Sequence, residues 1–200
     1  MCLRNKISES PEHQWEAHYK LKPGDIYVEA GAFFARYGRL ASEKVGPEGK
    51  VILIEPSPTN ISFIKSLQLA NVTLVEKAVW SSKGHMNFCV TGSCVSSSWD
   101  RLEAVLVGED ADFKVIKVEA DTVDNILNEL GLPHVDLFAA DVEDAELEMI
   151  KGMEKWLDNS IRNLAIAAYH NPKNPGVIMH TLRSRGYKAV HENHVVYAGV

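Results

Sequence analysis

Short apolar runs alternate along the first part of the chain with segments whose apolar residues recur at helical spacing. The runs from Asp25 to Gly31 and from Lys50 to Glu55 are short and mostly apolar, which is typical of strands buried in a parallel sheet. The segment between them, Ala32 to Val45, has the periodicity of a helix. A helix from about Pro58 and a strand region from Val72 to Val79 continue the alternation. The pattern predicts strand, helix, strand, helix, strand.

A second series of alternating elements follows a less regular middle that is rich in serine and glycine. Strands joined by helices through short connections are typical of a doubly wound α/β fold, so we expect a mostly parallel sheet with an antiparallel C-terminal hairpin. The predicted strands are His85–Val90, Phe113–Val118, Val135–Ala140 and Leu164–Ala168, the helices are Thr122–Leu130, Glu143–Leu157 and Pro175–Arg185, and the hairpin strands are Tyr187–Glu192 and His194–Val200. The serine-rich stretch after Thr91 is expected to be mobile.

Length and composition narrow the class of protein. Two hundred residues, 46% of them apolar, suit a single domain from 23 to 200, preceded by a helix or tail over 1–22. A net charge of −6 with scattered lysine and arginine argues against a nucleic-acid partner. No apolar stretch is long enough to span a membrane. The polar first residues and three cysteines predict a cytoplasmic protein with reduced thiols. Nothing indicates an oligomeric state.

Two acids end consecutive predicted strands, where ligands bind in doubly wound sheets. Glu29 and Gly31 close the first strand, and Glu55 closes the second, where a carboxylate can accept hydrogen bonds from a ribose diol. A nicotinamide dinucleotide fits poorly, because bulky rings follow Gly31 where a pyrophosphate needs room. An acid beside the glycine instead suits a cationic ligand without phosphate. S-adenosylmethionine (SAM) is such a ligand, although both acids could also be a helix cap and a solvated strand end.

Five segments in the expected order resemble the FkbM family of methyltransferases. They are Val28-Glu-Ala-Gly-Ala32, Glu55-Pro-Ser-Pro-Thr-Asn60, Asn71 to Ala78 with Gly84, Thr122-Val-Asp124, and the block from Val135 to Glu146. The resemblance runs from about Asp25 to the end. It implies a class I methyltransferase fold (Rossmann-like), SAM as cofactor, and transfer to an oxygen of a small metabolite or glycan.

The resemblance also assigns cofactor contacts to individual positions. Glu29, Gly31 and Ala32 would line the methionine half of SAM, and Tyr37 would either cover it or belong to the core. Glu55 and Ser57 would hold the ribose, and Ala78 and Val79 would border the adenine. Asp141 would lie beside the sulfonium. Four positions depart from the family pattern: Phe33 replaces asparagine, Ala35 and Asp144 replace glycine, and Ala139 replaces lysine. The departures at Ala139 and Asp144 leave catalysis itself in question.

Catalytic candidates follow the later strands. His170 comes after the fifth parallel strand and titrates near neutrality, so it is the best-placed base for a hydroxyl acceptor. Asp141 could orient the acceptor or the imidazole. Glu143 is a third candidate, although it and Glu146 would also complement the dipole of the next helix.

Several alternatives stay open at this stage. Asp141, His170 and Asn171 offer the donor atoms of a divalent metal site, which we do not favour because an imidazole suits a transition metal better than magnesium. The expected partner is a small-molecule methyl acceptor of unknown identity. An N-methyltransferase, a SAM-binding protein without catalysis and a nicotinamide-dependent oxidoreductase are the competing functions.

Overall fold

The computed structural model of the protein describes residues 12–91, 96–97, 113–158 and 160–200. Its strands are β1 (Ile26–Ala30), β2 (Lys50–Ile54), β3 (Val72–Val75), β4 (Ala78–Val79), β5 (Gly84–Thr91), β6 (Ser96–Ser97), β7 (Phe113–Asp121), β8 (Leu137–Ala140), β9 (Asn163–Ala167), β10 (Lys188–Glu192) and β11 (Val195–Gly199). Its helices are α1 (Glu12–Trp15), α2 (Arg36–Val45), α3 (Pro58–Ser66), α4 (Val123–Glu129), α5 (Glu146–Lys151) and α6 (Asn174–Ser184).

Within the described residues, seven strands form a main sheet in the order β10-β11-β9-β8-β1-β2-β3. The five strands from β9 to β3 pair in parallel, whereas β11 runs antiparallel to both β9 and β10. The predicted mostly parallel sheet with a C-terminal hairpin is therefore confirmed. The chain leaves β1 toward β2 on one side and later adds β8 on the other side, so the strand order reverses at β1. Ligands of doubly wound sheets bind at this reversal, outside the carboxyl ends of the strands.

Alternating residues of the central strands feed two separate cores, one on each face of the main sheet. Val28 of β1 and Phe138 of β8 pack on the face that is covered by helices α4 to α6. Tyr27 and Leu137, their neighbours in sequence, pack on the opposite face, which is covered by α2. Because both faces are covered, these strands are apolar at consecutive positions, as the sequence pattern indicated.

A second sheet of four strands, in the order β4-β7-β5-β6, stands apart from the main one among the described residues. Its centre is the antiparallel pair β5 and β7, in register from Gly84 opposite Ala120 to Thr91 opposite Phe113. The connection between β5 and β7 includes most of the stretch that we expect to be mobile, and it lies largely outside the described residues. Its dynamics therefore stay a prediction.

Two predicted strands differ from those in the structure. The region from Val72 to Val79 is two strands, β3 in the main sheet and β4 in the second sheet. Lys77 lies between them and pairs with the buried Asp121 at 2.9 Å. The strand predicted from Val135 begins at Leu137, while Val135 makes only an isolated bridge to Ile161.

Two predicted helices are shorter than expected for conformational reasons. The first begins at Arg36 rather than Ala32, because Phe33 and Ala35 have left-handed φ angles of 53° and 51°. The helix predicted over Glu143–Leu157 is only α5, because Glu143 and Asp144 also adopt positive φ. Met153, Trp156 and Leu157 are buried, but they lie in turns after α5. Their apolar spacing resembles that of a helix, which is why the sequence predicted a longer one.

None of the helices in the described part of the chain combines the length and the apolar character that a bilayer crossing requires.

Candidate functional site

Three adjacent strands bring the predicted cofactor residues to one edge of the main sheet. Ala30 at the end of β1 is in register with Ile54 of β2 and with Ala140 of β8. The residues that follow these strand ends, Gly31, Glu55 and Asp141, therefore lie side by side. Their backbones are joined directly, because the Gly31 N–H donates to the Ile54 carbonyl at 2.9 Å and the Asp141 N–H donates to the Ala30 carbonyl at 3.0 Å.

Gly31 is required where it stands. Its φ of +78° lies in the left-handed region, and a Cβ at this position would come within 1.9 Å of the Asp141 carbonyl oxygen. Glycine thus lets β1 turn away from β8 without a clash. The following turn carries two more left-handed residues, Phe33 and Ala35. These are the two positions where the family pattern has asparagine and glycine, which adopt this conformation more readily.

Glu55 is 3% exposed, and its carboxylate accepts three hydrogen bonds. Its Oε1 accepts hydrogen bonds from the Ser57 N–H at 2.8 Å and from Asn60 Nδ2 at 3.2 Å. Its Oε2 accepts one from the Phe33 N–H at 2.8 Å. Burial raises the pKa of Glu55, whereas these three donors lower it. A carboxylate oxygen has two acceptor positions, and the described residues supply Oε2 with one donor, so a second position is open to a further donor.

Glu29 is the penultimate residue of β1 and is buried. Its carboxyl group is 5% exposed and points toward α2, so that a Cβ on Gly38 would lie 3.3 Å from Oε2. Burial and the charge of Asp141 raise the pKa of Glu29 to about 8, although interactions with the Tyr27 hydroxyl and the Gly38 N–H act in the opposite direction. A carboxyl group that is mostly neutral at pH 7 is a weak partner for a cationic tail, and a contact of Glu29 with the methionine half stays a prediction.

The other predicted cofactor residues lie in three places. Ala32 and Ser57 flank the strand ends, and the Ser57 N–H already holds Glu55. Ala78 and Val79 form β4 and are buried, with 7% and 5% exposure, where β4 pairs with β7. Tyr37 is 2% exposed and belongs to the core between α2 and the main sheet, with its ring 5.5 Å from that of Tyr27. The structure thus favours the core alternative for Tyr37.

Asp141 is a partly exposed acid directly after β8, and its side chain is 30% accessible. Its Oδ2 accepts a hydrogen bond from the Tyr169 hydroxyl at 2.7 Å. Burial raises the pKa of Asp141 to about 6, although the Tyr169 hydroxyl lowers it and the nearby Glu143 raises it further. The carboxylate therefore gains a proton only a little below neutral pH.

His170 lies at the centre of a carboxylate cluster, and its side chain is only 4% accessible. Its Nε2 is 3.0 Å from Glu143 and 3.6 Å from Asp141, while its Nδ1 is 2.7 Å from Glu146. Burial alone would lower the pKa of His170, but the hydrogen bonds to Glu143 and Glu146 raise it to about 10. The structure thus brings together all three predicted catalytic residues, and it makes the imidazole a cation at neutral pH.

Asp141, Glu143 and His170 each offer a ligand atom, and these atoms lie within 4.8 Å of one another. This spacing could accommodate a divalent cation. Asn171, the third residue of the metal site considered from the sequence, accepts a hydrogen bond from the Lys173 N–H at 3.1 Å through Oδ1. We treat the cluster as an ion-paired network and assign no metal to it.

The sequence itself decides the family. The family model described as the methyltransferase FkbM domain matches residues 25–189. The chain belongs to the FkbM methyltransferase family. The matched range of this FkbM domain includes every strand end at the site. No curated protein matches the sequence at a significant level.

Solved structures show that this FkbM-family chain has the class I SAM methyltransferase fold. An FkbM methyltransferase from Methylobacillus flagellatus KT superposes with a TM-score of 0.65 at 14% identity, over 94% of this chain and 47% of that chain. Fibrillarin from Aeropyrum pernix, in complex with natively bound SAM, gives a TM-score of 0.52 at 13% identity, over 90% of this chain and 67% of that one. The FkbM-family chain therefore spans about half the length of the M. flagellatus protein.

Three side chains of the site received no role from the sequence. Asn60 Nδ2 donates a hydrogen bond to Glu55, and the Tyr169 hydroxyl donates one to Asp141. Asn174 Nδ2 donates a hydrogen bond to Glu146 at 3.1 Å. Asn60 stands within the Glu55-Pro-Ser-Pro-Thr-Asn60 segment, so the motif contained a signal for it. The contacts of Tyr169 and Asn174 span about 30 residues of sequence, and no local pattern marks them.

Proposed function

We propose that this FkbM-family protein is a SAM-dependent methyltransferase that transfers a methyl group to a hydroxyl oxygen of a small metabolite or glycan. The observation that carries the proposal is the row formed by Glu55, Gly31 and Asp141 across β2, β1 and β8. Together, a hydrogen-bond acceptor, a glycine turn and a carboxylate complement the ribose, the methionine half and the sulfonium of one ligand.

Each residue of the row has a defined part in holding the cofactor. Glu55 would accept a hydrogen bond from a ribose hydroxyl at the open position of Oε2. Its three protein donors fix the orientation of the carboxylate. Gly31 and Ala32 would face the methionine half, because they directly follow the end of β1 at the edge of the sheet. Asp141 would balance the sulfonium charge. SAM supplies a methyl carbon that is already activated, so the protein mainly has to align the acceptor with it.

Proton removal from the acceptor falls to a different residue than the sequence suggested. His170 is protonated at neutral pH when its pKa is near 10, so it is a poor base in the ligand-free protein. Asp141, with a pKa of about 6, is ionised at pH 7 and has the partly exposed carboxylate. In our proposal Asp141 accepts the hydroxyl proton as the oxygen attacks the methyl carbon. The charge of His170 stabilises both nearby carboxylates, since its Nε2 lies 3.0 Å from Glu143 and 3.6 Å from Asp141.

Loss of the Glu55 carboxylate is expected to weaken SAM binding by about tenfold or more, because a hydrogen bond to a charged group is worth about 1.5–3 kcal/mol. Isothermal titration of a Glu55→Ala variant measures this, with melting curves to establish that the variant is folded. Glu76→Ala is the matched control, since Glu76 is an exposed carboxylate paired with Lys65. Undiminished affinity in Glu55→Ala would reject the placement. If that variant does not fold, the same titration is made on the unmodified protein with SAM and with NAD. Binding of SAM but not of NAD supports the proposal, and the reverse rejects it.

Release of S-adenosylhomocysteine (SAH) tests the reaction itself. The protein is incubated with SAM and pools of hydroxylated metabolites and oligosaccharides, and SAH is measured by mass spectrometry together with the mass of any methylated product. A gain of one methyl group on oxygen supports the proposal. Methylation confined to nitrogen, or SAM binding without SAH release from any pool, would replace it with one of the competing functions.

The affinity for SAM is expected to fall by about tenfold between pH 8 and pH 5, which corresponds to about 1.4 kcal/mol. The reason is that Asp141, with a pKa of about 6, loses its negative charge over this interval. SAH has a neutral sulfur, so its affinity should change much less. Calorimetry at both pH values with the two ligands measures the difference. An Asp141→Asn variant should show no such difference, whereas Asp158→Asn, which changes an exposed carboxylate, should behave like the unmodified protein.

A further inference from the structure

Glu146 is a completely buried carboxylate at the first residue of α5, with no exposed surface. Its Oε1 faces His170 Nδ1 at 2.7 Å and also accepts the Asp144 N–H at 3.2 Å. Its Oε2 accepts a hydrogen bond from Asn174 Nδ2 at 3.1 Å. Asn174 is itself 3% exposed and begins α6. An acid on one helix, an amide on the next and an imidazole after β9 thus meet inside the protein.

The two ring nitrogens of His170 face opposite directions. Nδ1 points inward to Glu146, whereas Nε2 points outward to Glu143 and Asp141, which are each about one-third exposed. The amide orientation of Asn174 follows from its neighbours, because the oxygens nearest to its Nδ2 belong to the carboxylates of Glu146 and Asp144. An ionised carboxylate only accepts hydrogen bonds, so the amide nitrogen must face it.

Helix capping does not account for this arrangement. The N–H that Glu146 accepts belongs to Asp144, which precedes α5, and the remaining contacts go to side chains outside the helix. Burying a carboxylate is costly unless charge and hydrogen bonds compensate it. A fold that needed only packing at this point would be served better by an apolar side chain. The compensation comes from the imidazole, and the same buried anion raises the pKa of His170.

We infer that Glu146, held by Asn174, is a positioning residue of the methyl-transfer site, which accepts the Nδ1–H of His170 and so directs Nε2 at Glu143 and Asp141. This inference rests on the proposed function. With the ring fixed from inside the protein, Nε2 lies 3.0 Å from Glu143 and 3.6 Å from Asp141, and the charge of the imidazolium acts on both carboxylates. One of them, Asp141, is available as the base. Glu146 touches neither cofactor nor acceptor, so it acts only through His170.

The first test observes the hydrogen bond directly. In the unmodified protein at pH 7, nuclear magnetic resonance should show His170 with a proton on Nδ1, shifted strongly downfield by its carboxylate partner. The signal is assigned among the eight histidines by its loss in a His170→Gln variant. In Glu146→Gln the downfield proton should disappear or move upfield. An Nδ1 without a proton in the unmodified protein, or the same spectrum in Glu146→Gln, would overturn the inference.

The second test separates positioning from binding. In Glu146→Gln, kcat with an acceptor found by SAH release should fall by about 10–100-fold, the range that applies when the partner orienting a histidine is removed in metal sites. The dissociation constant for SAM should stay within about threefold. Glu148→Gln is the matched control, because Glu148 lies on the same helix but pairs with Lys151. An equal loss of kcat and SAM affinity in Glu146→Gln would make Glu146 merely structural.

Two further measurements keep the outcomes distinct. If Glu146→Gln does not fold, Asn174→Ala should change the His170 signal and kcat in the same direction by a smaller factor, and no change in either would overturn the inference. If the protein binds no SAM while the downfield proton is present, the proposed function fails, although the contact between Glu146 and His170 is correct. That contact would then have to serve a different reaction.

Discussion

A Gly31→Ala variant is expected to lose about 4 kcal/mol or more of unfolding free energy, among the largest effects that a single substitution produces. The added Cβ would lie 1.9 Å from the Asp141 carbonyl oxygen, and this atom belongs to backbone that β8 holds in place. Alanine also disfavours the φ of +78°. Thermal unfolding measures the effect, since about 2–4 °C of melting temperature corresponds to each kcal/mol in a chain of this size.

Gly24 provides the matched control for this substitution. It has a similar φ of +88°, but a Cβ there would meet nothing within 4 Å. Gly24→Ala should therefore cost only the conformational part, about 1–2 kcal/mol. If both variants were equally stable, the turn after β1 would be free to move away from β8. The row of Gly31, Glu55 and Asp141 would then not be rigid enough to preform a cofactor site.

Glu29→Gln is expected to make the protein more stable than the original at pH 9 and nearly equal to it at pH 5. The folded protein raises the pKa of Glu29 from 4.5 to about 8, so it binds this proton more tightly than the unfolded chain does. The resulting stabilisation is complete below pH 4.5 and is lost as the pH rises through 8. At about 1.4 kcal/mol per tenfold change in proton affinity, the interval sets an upper limit of about 5 kcal/mol.

Denaturant unfolding at several pH values measures this difference between the two proteins. Glutamine resembles the protonated acid in shape and in donor capacity, so it keeps the low-pH stability at all pH values. His170 also loses a stabilising proton at high pH, but it does so equally in both proteins. Glu43→Gln, at an exposed position of α2, should follow the unmodified protein. Parallel curves for Glu29→Gln and the unmodified protein would mean that Glu29 is ionised inside the fold.

The sequence predicted the elements that burial on both sides of the sheet makes visible. Strands β1, β2, β8 and β9 are apolar at consecutive positions, and their order with the intervening helices indicates a doubly wound sheet. The residues directly after these strands were predicted for the same reason. Because parallel strands end at a common edge, Glu55, Gly31 and Asp141 had to lie close together.

Contacts that depend on side-chain direction could not be predicted. Glu29 stands one residue before the turn, but alternation along β1 directs it into the core toward Gly38. The periodicity from Glu143 to Leu157 suggested one long helix. Instead, Glu143 and Asp144 adopt left-handed conformations outside α5, and Glu143 pairs with His170. The cationic state of His170 depends on Glu146 and Glu143 together, and their distances to the ring follow only from the folded chain.

The three donors around the Glu55 carboxylate have an evolutionary consequence. They come from the turn after β1 and from the start of α3, so one acid ties together two loops that are 22 residues apart in sequence. A descendant that bound no nucleoside would still need this acid to keep both loops in shape. We therefore expect the glutamate to persist in lineages whose members have lost transferase activity, and its retention alone does not identify a working enzyme.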